Sequence, residues 1–316
     1  MYYKEGITIM ERWEFEQRRS LPLEAKEIMA MDRIRSFIEK VGASFVSWST
    51  GIDSLVAGDL ARRVDPSIPF VFADTGLEYP ENRNLLDIYD NVVRMTPHKD
   101  FRTVIKAYGY PVVSKEQSQR IYEYRTTKSE YMKKRLMYGV YSNGSTYLSG
   151  KISNKWKFLI DAPFPISHKC CEYLKKEPLR RYGKQTGRMV ILGTRADESQ
   201  TRIQSYLKNG CNVFTGKIQC RPLSVWTKED VWNYIKKYNL VYSSAYDMGY
   251  DRTGCMFCPI GVQNEKEPNK FQKMQLTHPQ YWQYCMESLG LKEVLEYMGI
   301  PWRNSRGLEE AACSKE

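Results

Sequence analysis

The sequence predicts an α/β fold: a Rossmann-like, doubly wound parallel sheet followed by a helical C-terminal region. Two observations predict it. Short apolar runs of strand length alternate with helical patterns over residues 21–97, and another apolar run follows at 189–195. Three of these runs lead into polar loops, at 49–54, 74–80 and 194–202. Parallel sheets covered on both faces bind ligands in such loops, beyond the carboxyl ends of their strands.

In chain order, 21–40 reads as an amphipathic helix with Pro22 near its start. ASFVSW is a short strand, STGIDS a turn and LVAGDLARRV a helix. IPFVFADTG is a second strand with its loop, ENRNLLDIYDN a second helix and NVVRMTP a third strand. Residues 115–160 are rich in Tyr, Lys, Arg, Ser and Gly and read as a helical insertion with a long loop. MVILGTR is a further strand. Thr227 is placed to cap a helix, with Asp230 at its third position. The remainder to about residue 300 reads as helical. The expected organisation is therefore an N-terminal helical extension over 1–40, an α/β domain over 41–240 and a helical region over 241–316.

With 316 residues, 42% hydrophobic and 27% charged, the chain has an ordinary globular composition. No apolar run approaches the 18–20 residues, roughly, that span a bilayer. The first twenty residues break their apolar positions with charges, unlike a signal peptide, so a cytoplasmic protein is expected. A net charge of +11 favours a polyanionic partner, nucleotide or nucleic acid, with a solvated basic surface as the alternative. A homo-oligomer is compatible with the sequence.

SWSTGIDS supplies the pattern S-x-G-x-D-S at Ser49, Gly51, Asp53 and Ser54. A strand ends, a glycine admits a ligand close to the backbone, and a helix presents its N–H groups and positive dipole end. Ser49, Thr50 and Ser54 add hydroxyl donors; Asp53 would shape the loop or place Mg2+ where the nucleotide is ATP. The lysine of G-x-x-x-x-G-K-[ST] and the dinucleotide fingerprint G-x-G-x-x-G are both missing.

Eight cysteines in a cytosolic chain suggest metal ligation more than disulfides. Cys170 and Cys171 are adjacent, and Cys255 and Cys258 form a C-x-x-C between glycine and proline. Two adjacent thiolates do not easily point at one small tetrahedral ion. A cubane gives each sulfur its own iron, which favours a [4Fe–4S] cluster over zinc. Cys211 and Cys220 read as structural and Cys285 as a helix-face core residue.

SWSTGIDS followed by FVFADTGLEYPEN resembles the phosphate loop and D-T-G-x-x-(Y/F)-P-E segment of PAPS reductases and related ATP pyrophosphatases, the adenine nucleotide alpha-hydrolase-like group. The resemblance implies that Asp74, Thr75, Gly76 and Glu78 line an adenosine pocket. LGTRADESQTR resembles the family's oxyanion clamp, implying roles for Gly193, Thr194, Arg195 and Arg202. CCEYLKKEPL and the later C-x-x-C resemble the iron–sulfur branch and imply that Lys175 lies between cluster and substrate. The matches cover about residues 40–300.

Reductases of this kind end in E-C-G-x-H, whose cysteine attacks the sulfate sulfur. This chain ends LEEAACSKE, so Cys313 is a candidate nucleophile lacking the glycine and histidine. Three readings follow. One is thiol-dependent reduction of PAPS or APS to sulfite with a thioredoxin-like reductant. A second is an ATP-dependent, pyrophosphate-releasing sulfurtransferase with a sulfur donor, acting on nucleic acid or a small molecule, to which the S-x-G-x-D-S loop and the basic insertion lean. The third is a non-catalytic iron–sulfur nucleotide sensor.

Overall fold

The computed structural model describes residues 10–304. The chain divides into two compact units, one of residues 1–97 and 176–254, the other of 98–175 and 255–316.

The first unit is built on a six-stranded sheet of β1 (Ser44–Ser47), β2 (Phe70–Ala73), β3 (Val92–Met95), β4 (Met189–Leu192), β5 (Asn212–Val213) and β6 (Gln219–Cys220), in the order β3-β2-β1-β4-β6-β5. All neighbours are parallel except β5 and β6. The expected parallel α/β sheet is therefore present, with a short antiparallel edge. Successive residues point to opposite faces, and both faces are buried. Val46, Trp48, Phe70, Phe72 and Ile191 pack into the larger core. Phe45, Val71 and Tyr182 form the smaller one on the other side. The order reverses at β1, which has β2 on one side and β4 on the other, so the exits of β1 and β4 flank the switch point of the sheet.

The helices over Leu23–Val41, Ile52–Val64 and Lys228–Lys237 pack on the larger core. Residues 10–41 belong to this packing rather than to a separate extension: Lys26, almost fully buried, meets Asp230 at 2.6 Å. Asp230 also closes a capping box with Thr227, as the sequence predicts.

The second unit is helical. Its main helices are Phe101–Tyr108, Lys115–Thr126, Glu130–Tyr138, Lys270–Thr277 and Leu291–Tyr297. The long loop expected within the insertion is partly ordered as a tight turn, in which Val140 bridges Thr146 and Tyr147 N donates to Gly139 O at 2.8 Å. The two units cut across the expected boundaries at 40 and 240, because the insertion and the C-terminal segment fold together. The helical reading after residue 241 fails over 241–269, which is turns and one short 3-10 helix; Gly249, Gly254, Pro259, Gly261 and Pro268 break any helical run there.

Candidate functional site

The loop between β1 and the helix Ile52–Val64 is closed by its own hydroxyls. Ser49 N donates to Ser54 Oγ at 3.1 Å, the two serine hydroxyls are 3.1 Å apart, and Ser54 Oγ donates to Gly51 O at 2.8 Å. Thr50 takes a left-handed conformation, φ 60°, which a β-branched residue adopts only when its surroundings impose it. Asn82 does so: its Nδ2 donates to Thr50 Oγ1 at 2.8 Å and to Thr253 O at 3.2 Å, while Ser243 Oγ donates to Asn82 Oδ1 at 2.6 Å. The Tyr246 hydroxyl accepts from Ile52 N at 3.2 Å and from Thr253 Oγ1 at 3.1 Å. Asn82, Ser243, Tyr246 and Thr253 thus shape the loop, and sequence reasoning missed them.

Gly51 has ordinary extended angles, φ −77° and ψ 154°, so no backbone strain requires a glycine there. Gly193 is required sterically. A Cβ on it would lie 2.4 Å from Asp53 O and 2.5 Å from Ser54 Cα, so its missing side chain lets the exit of β4 rest on the start of the helix.

The arginine loop meets the phosphate loop directly. Arg195 is buried; its Nε donates to Asp53 Oδ1 at 2.8 Å and its Nη1 to both oxygens of Asp197 at 2.7 and 2.8 Å. Burial pushes the Asp53 carboxyl up from its ordinary value, and Arg195 opposes the shift only in part. The guanidinium expected to clamp a ligand is therefore committed to carboxylates. Arg202 is more exposed and pairs with Glu198, which also meets Arg252 at 3.1 Å. Thr194, Arg195, Arg202 and Arg221 line a small cavity of about 190 Å3.

In the third loop, Thr75 Oγ1 donates to Glu78 Oε1 at 2.6 Å, and Leu77 N donates to Thr75 Oγ1 and Glu78 Oε2, both at 3.2 Å. Thr75 and Glu78 are buried and hold the turn, with Gly76 at φ 75°. Asp74 pairs with Arg83. The candidates of all three loops lie within the first unit.

All four cluster candidates lie in the second unit, none in a disulfide. Lys169 N donates to Ser167 Oγ at 3.0 Å and opens the short helix Lys169–Cys171, which leaves Cys170 buried. Lys175 follows in the π-helical turn Glu172–Lys176. The C-x-x-C is a knuckle: Cys258 N donates to Cys255 O at 3.2 Å, which also accepts from Lys270 Nζ at 3.2 Å. Gly261 N donates to Val113 O at 3.0 Å and ties the segment after the knuckle to the residues just ahead of the insertion. Burial pushes the Cys170 thiol well up, reinforced by Cys255, Cys171 and Cys258, and Lys175 pulls the other way. Cys170 therefore feels the other three thiols, and thiolates are the donor type that suits a soft metal or iron–sulfur cluster. Among the described residues, no three His, Cys, Asp or Glu side chains close on a single-ion position. Cys220 on β6 and Cys285 are fully buried. Cys313 lies outside the described residues.

The family profile described as "Phosphoadenosine phosphosulfate reductase domain" matches residues 43–138 and 112–260. The chain is 28% identical over 250 residues to the adenosine 5'-phosphosulfate reductase of Geobacillus kaustophilus, covering 78% of this chain and 86% of that protein. It is 27% identical over 250 residues to the protein of the same name from Geobacillus thermodenitrificans, with the same coverage. Among solved structures, the PAPS reductase of Candida auris in a phosphate complex aligns with 79% of this chain and 98% of its own, at 15% identity and a TM-score of 0.42.

Proposed function

The chain belongs to the phosphoadenosine phosphosulfate reductase domain family, and from that premise we propose that it binds an adenine sulfonucleotide, APS or PAPS, and reduces it to sulfite in a thiol-dependent reaction. The observation that carries this reading is the union of two loops at the switch point of the sheet, where Arg195 holds Asp53 and Gly193 rests on the start of the helix Ile52–Val64. That arrangement offers an anion the positive end of the helix dipole, at a loop whose shape the Ser49 and Ser54 hydroxyls hold.

In this reading the roles of the expected residues divide. Ser49, Gly51, Ser54, Thr194 and Arg202 face the phosphate or sulfate groups. Thr50, Asp53, Asp74, Thr75, Gly76, Glu78, Gly193 and Arg195 hold the loops in shape. Cys170, Cys171, Cys255 and Cys258 hold a [4Fe–4S] cluster, and Lys175 places a cation beside its thiolates. When bound, the cluster supplies a polarising, anionic metal centre. In the reaction a thiolate, with Cys313 as the candidate, attacks the sulfonate sulfur; the S–O bond to the nucleotide breaks and AMP or its 3'-phosphate leaves. A thioredoxin-like dithiol then attacks the S-sulfocysteine, is oxidised to the disulfide and releases sulfite. Such chemistry belongs to a reducing, cytoplasmic compartment. Among the described residues no helix is long and apolar enough to cross a membrane.

The test is anaerobic incubation of iron-loaded protein with APS or PAPS and reduced thioredoxin. Sulfite released in step with AMP or adenosine 3',5'-bisphosphate supports the reading, and no sulfite above background ends it. The S-x-G-x-D-S pattern favours one other reading, an ATP-dependent sulfurtransferase using Mg2+. Pyrophosphate release from ATP, lost in Asp53→Ala, would replace the first reading with the second.

A further inference from the structure

Residues 115–160 carry ten Lys and Arg against three Glu, a net +7 of the chain's +11 in 46 residues. Three of these charges are held within the segment and its flank: Arg120 donates to Lys151 O at 2.9 Å and pairs with Glu116, Lys133 pairs with Glu130 at 2.9 Å, and Arg125 donates to the carbonyls of Leu159, Ile160, Ala162 and Phe164. Lys128, Lys134 and Lys155 are exposed instead, and Lys157 is half-buried beside Tyr138.

Aromatic rings share the same surface. Leu136 alone is buried in the helix Glu130–Tyr138, which leaves Tyr131 42% and Tyr138 60% exposed. The tight turn after that helix holds Tyr147 out at 59% exposure, fixed by its N–H on Gly139 O. A Cβ at Gly139 would come 2.9 Å from that carbonyl of Tyr147, so the turn is sterically closed. Cations sit against the rings: Lys157 Nζ is 5.5 Å from the Tyr138 centroid, and Arg135 is 5.8 Å from that of Tyr141.

We infer that this surface of the insertion binds single-stranded nucleic acid, with the lysines on phosphates and the exposed tyrosines stacked on unpaired bases. Spaced cations match a phosphate backbone, and each ring left open to solvent matches a base face, which a duplex would hide. A merely solvated basic surface has no need of tyrosines held outward by a closed turn. The inference is independent of the reaction proposed above, since it concerns residues outside the phosphate loop and the cysteine set.

The experiment is fluorescence anisotropy of the full chain with a fluorescein-labelled 20-mer of oligo(dT), titrated between 50 and 300 mM KCl. Saturable binding is expected, with a log–log salt slope of about −2 or steeper, the signature of three or more phosphate contacts. Replacing Lys134, Lys155 and Lys157 by Gln should flatten the slope by about 2 and weaken binding at least tenfold, roughly. Tyr138→Ala with Tyr147→Ala should weaken binding about tenfold or more at an unchanged slope. Circular dichroism checks that each variant is folded. Three outcomes overturn the inference: no saturable binding at 50 mM KCl; an equal loss when Lys208, Lys217 and Lys236 in the first unit are replaced instead; or displacement of the probe by vesicles of phosphatidylserine, or by duplex of the same length, as effectively as by unlabelled oligo(dT).

Discussion

Arg195 and Asp53, 142 positions apart, meet through Nε and Oδ1 at 2.8 Å, with Asp197 taking the other arm of the guanidinium. The arginine thus acts as a tie between the loops leaving β4 and β1. Arg195→Ala leaves two partly buried carboxylates without their cation, and loss of one partner from a buried pair costs about 3–5 kcal/mol. Arg195→Lys keeps a charge but not the planar fork, and should recover only part of the loss. Urea denaturation measures both; wild-type stability in Arg195→Ala would show that the tie contributes nothing.

Two glycines separate the fold from ligand binding. At Gly51 a methyl group would find Ser49 Oγ and Tyr246 OH at 3.5 Å, ordinary contacts, so Gly51→Ala should change stability by less than about 1 kcal/mol. Its APS affinity should nevertheless fall about tenfold, equivalent to about 1.4 kcal/mol, if the ligand approaches the backbone here. At Gly193 the same methyl group collides with backbone, so Gly193→Ala should lose both stability and binding. Calorimetric titration with APS beside denaturant unfolding distinguishes the two patterns. Unchanged affinity in a folded Gly51→Ala would count against the phosphate loop.

Asp53 gives a pH dependence of definite sign. Its folded carboxyl titrates above the ordinary value because burial outweighs Arg195. Between the unfolded value, about 3.9, and the raised folded value, the native chain holds a proton that the unfolded chain has released. The contribution of this group to stability is therefore present at low pH and lost as pH rises through that window. Relative to Asp53→Asn, the wild type should lose stability as pH rises above the unfolded value, about 3.9, in urea unfolding at stepped pH. A gain over that range would mean that the Arg195 attraction prevails.

The cysteines divide by position. Cys170→Ser, Cys171→Ser, Cys255→Ser and Cys258→Ser should each lower the iron and sulfide recovered from anaerobic preparations by more than half, roughly, because each would remove one ligand of the proposed cluster. Cys220→Ala and Cys285→Ala, in the cores of the two units, should keep the iron and lose stability instead. Equal iron in all six variants would remove the cluster.

The sheet was legible where period and punctuation agreed. Phe45 and Val46 alternate faces as strand neighbours do, and Thr227 with Asp230 announces its capping box four residues long. Strands β5 and β6 were not legible, since two residues carry no period. The loop motif was visible at Ser49, Gly51, Asp53 and Ser54, but not the residues that shape it. Asn82 and Thr253 are 171 positions apart, and only the folded chain brings them to Thr50. Likewise, the family resemblance implied that Thr75 and Glu78 line a pocket and that Arg195 clamps an oxyanion; in the fold their polar atoms bond other parts of the loops. The helical expectation over 241–269 gave too little weight to its glycines and prolines.

Thr50 at φ 60° holds a conformation that costs on the order of 1–3 kcal/mol, maintained by the Asn82 amide from outside the loop. The loop is consequently preorganised: its curvature exists before an anion arrives, and little binding free energy is consumed in ordering it. Asn82 governs that readiness without standing among the residues proposed to face the nucleotide. Its loss would relax the mould into an ensemble, of which only a fraction could receive a phosphate.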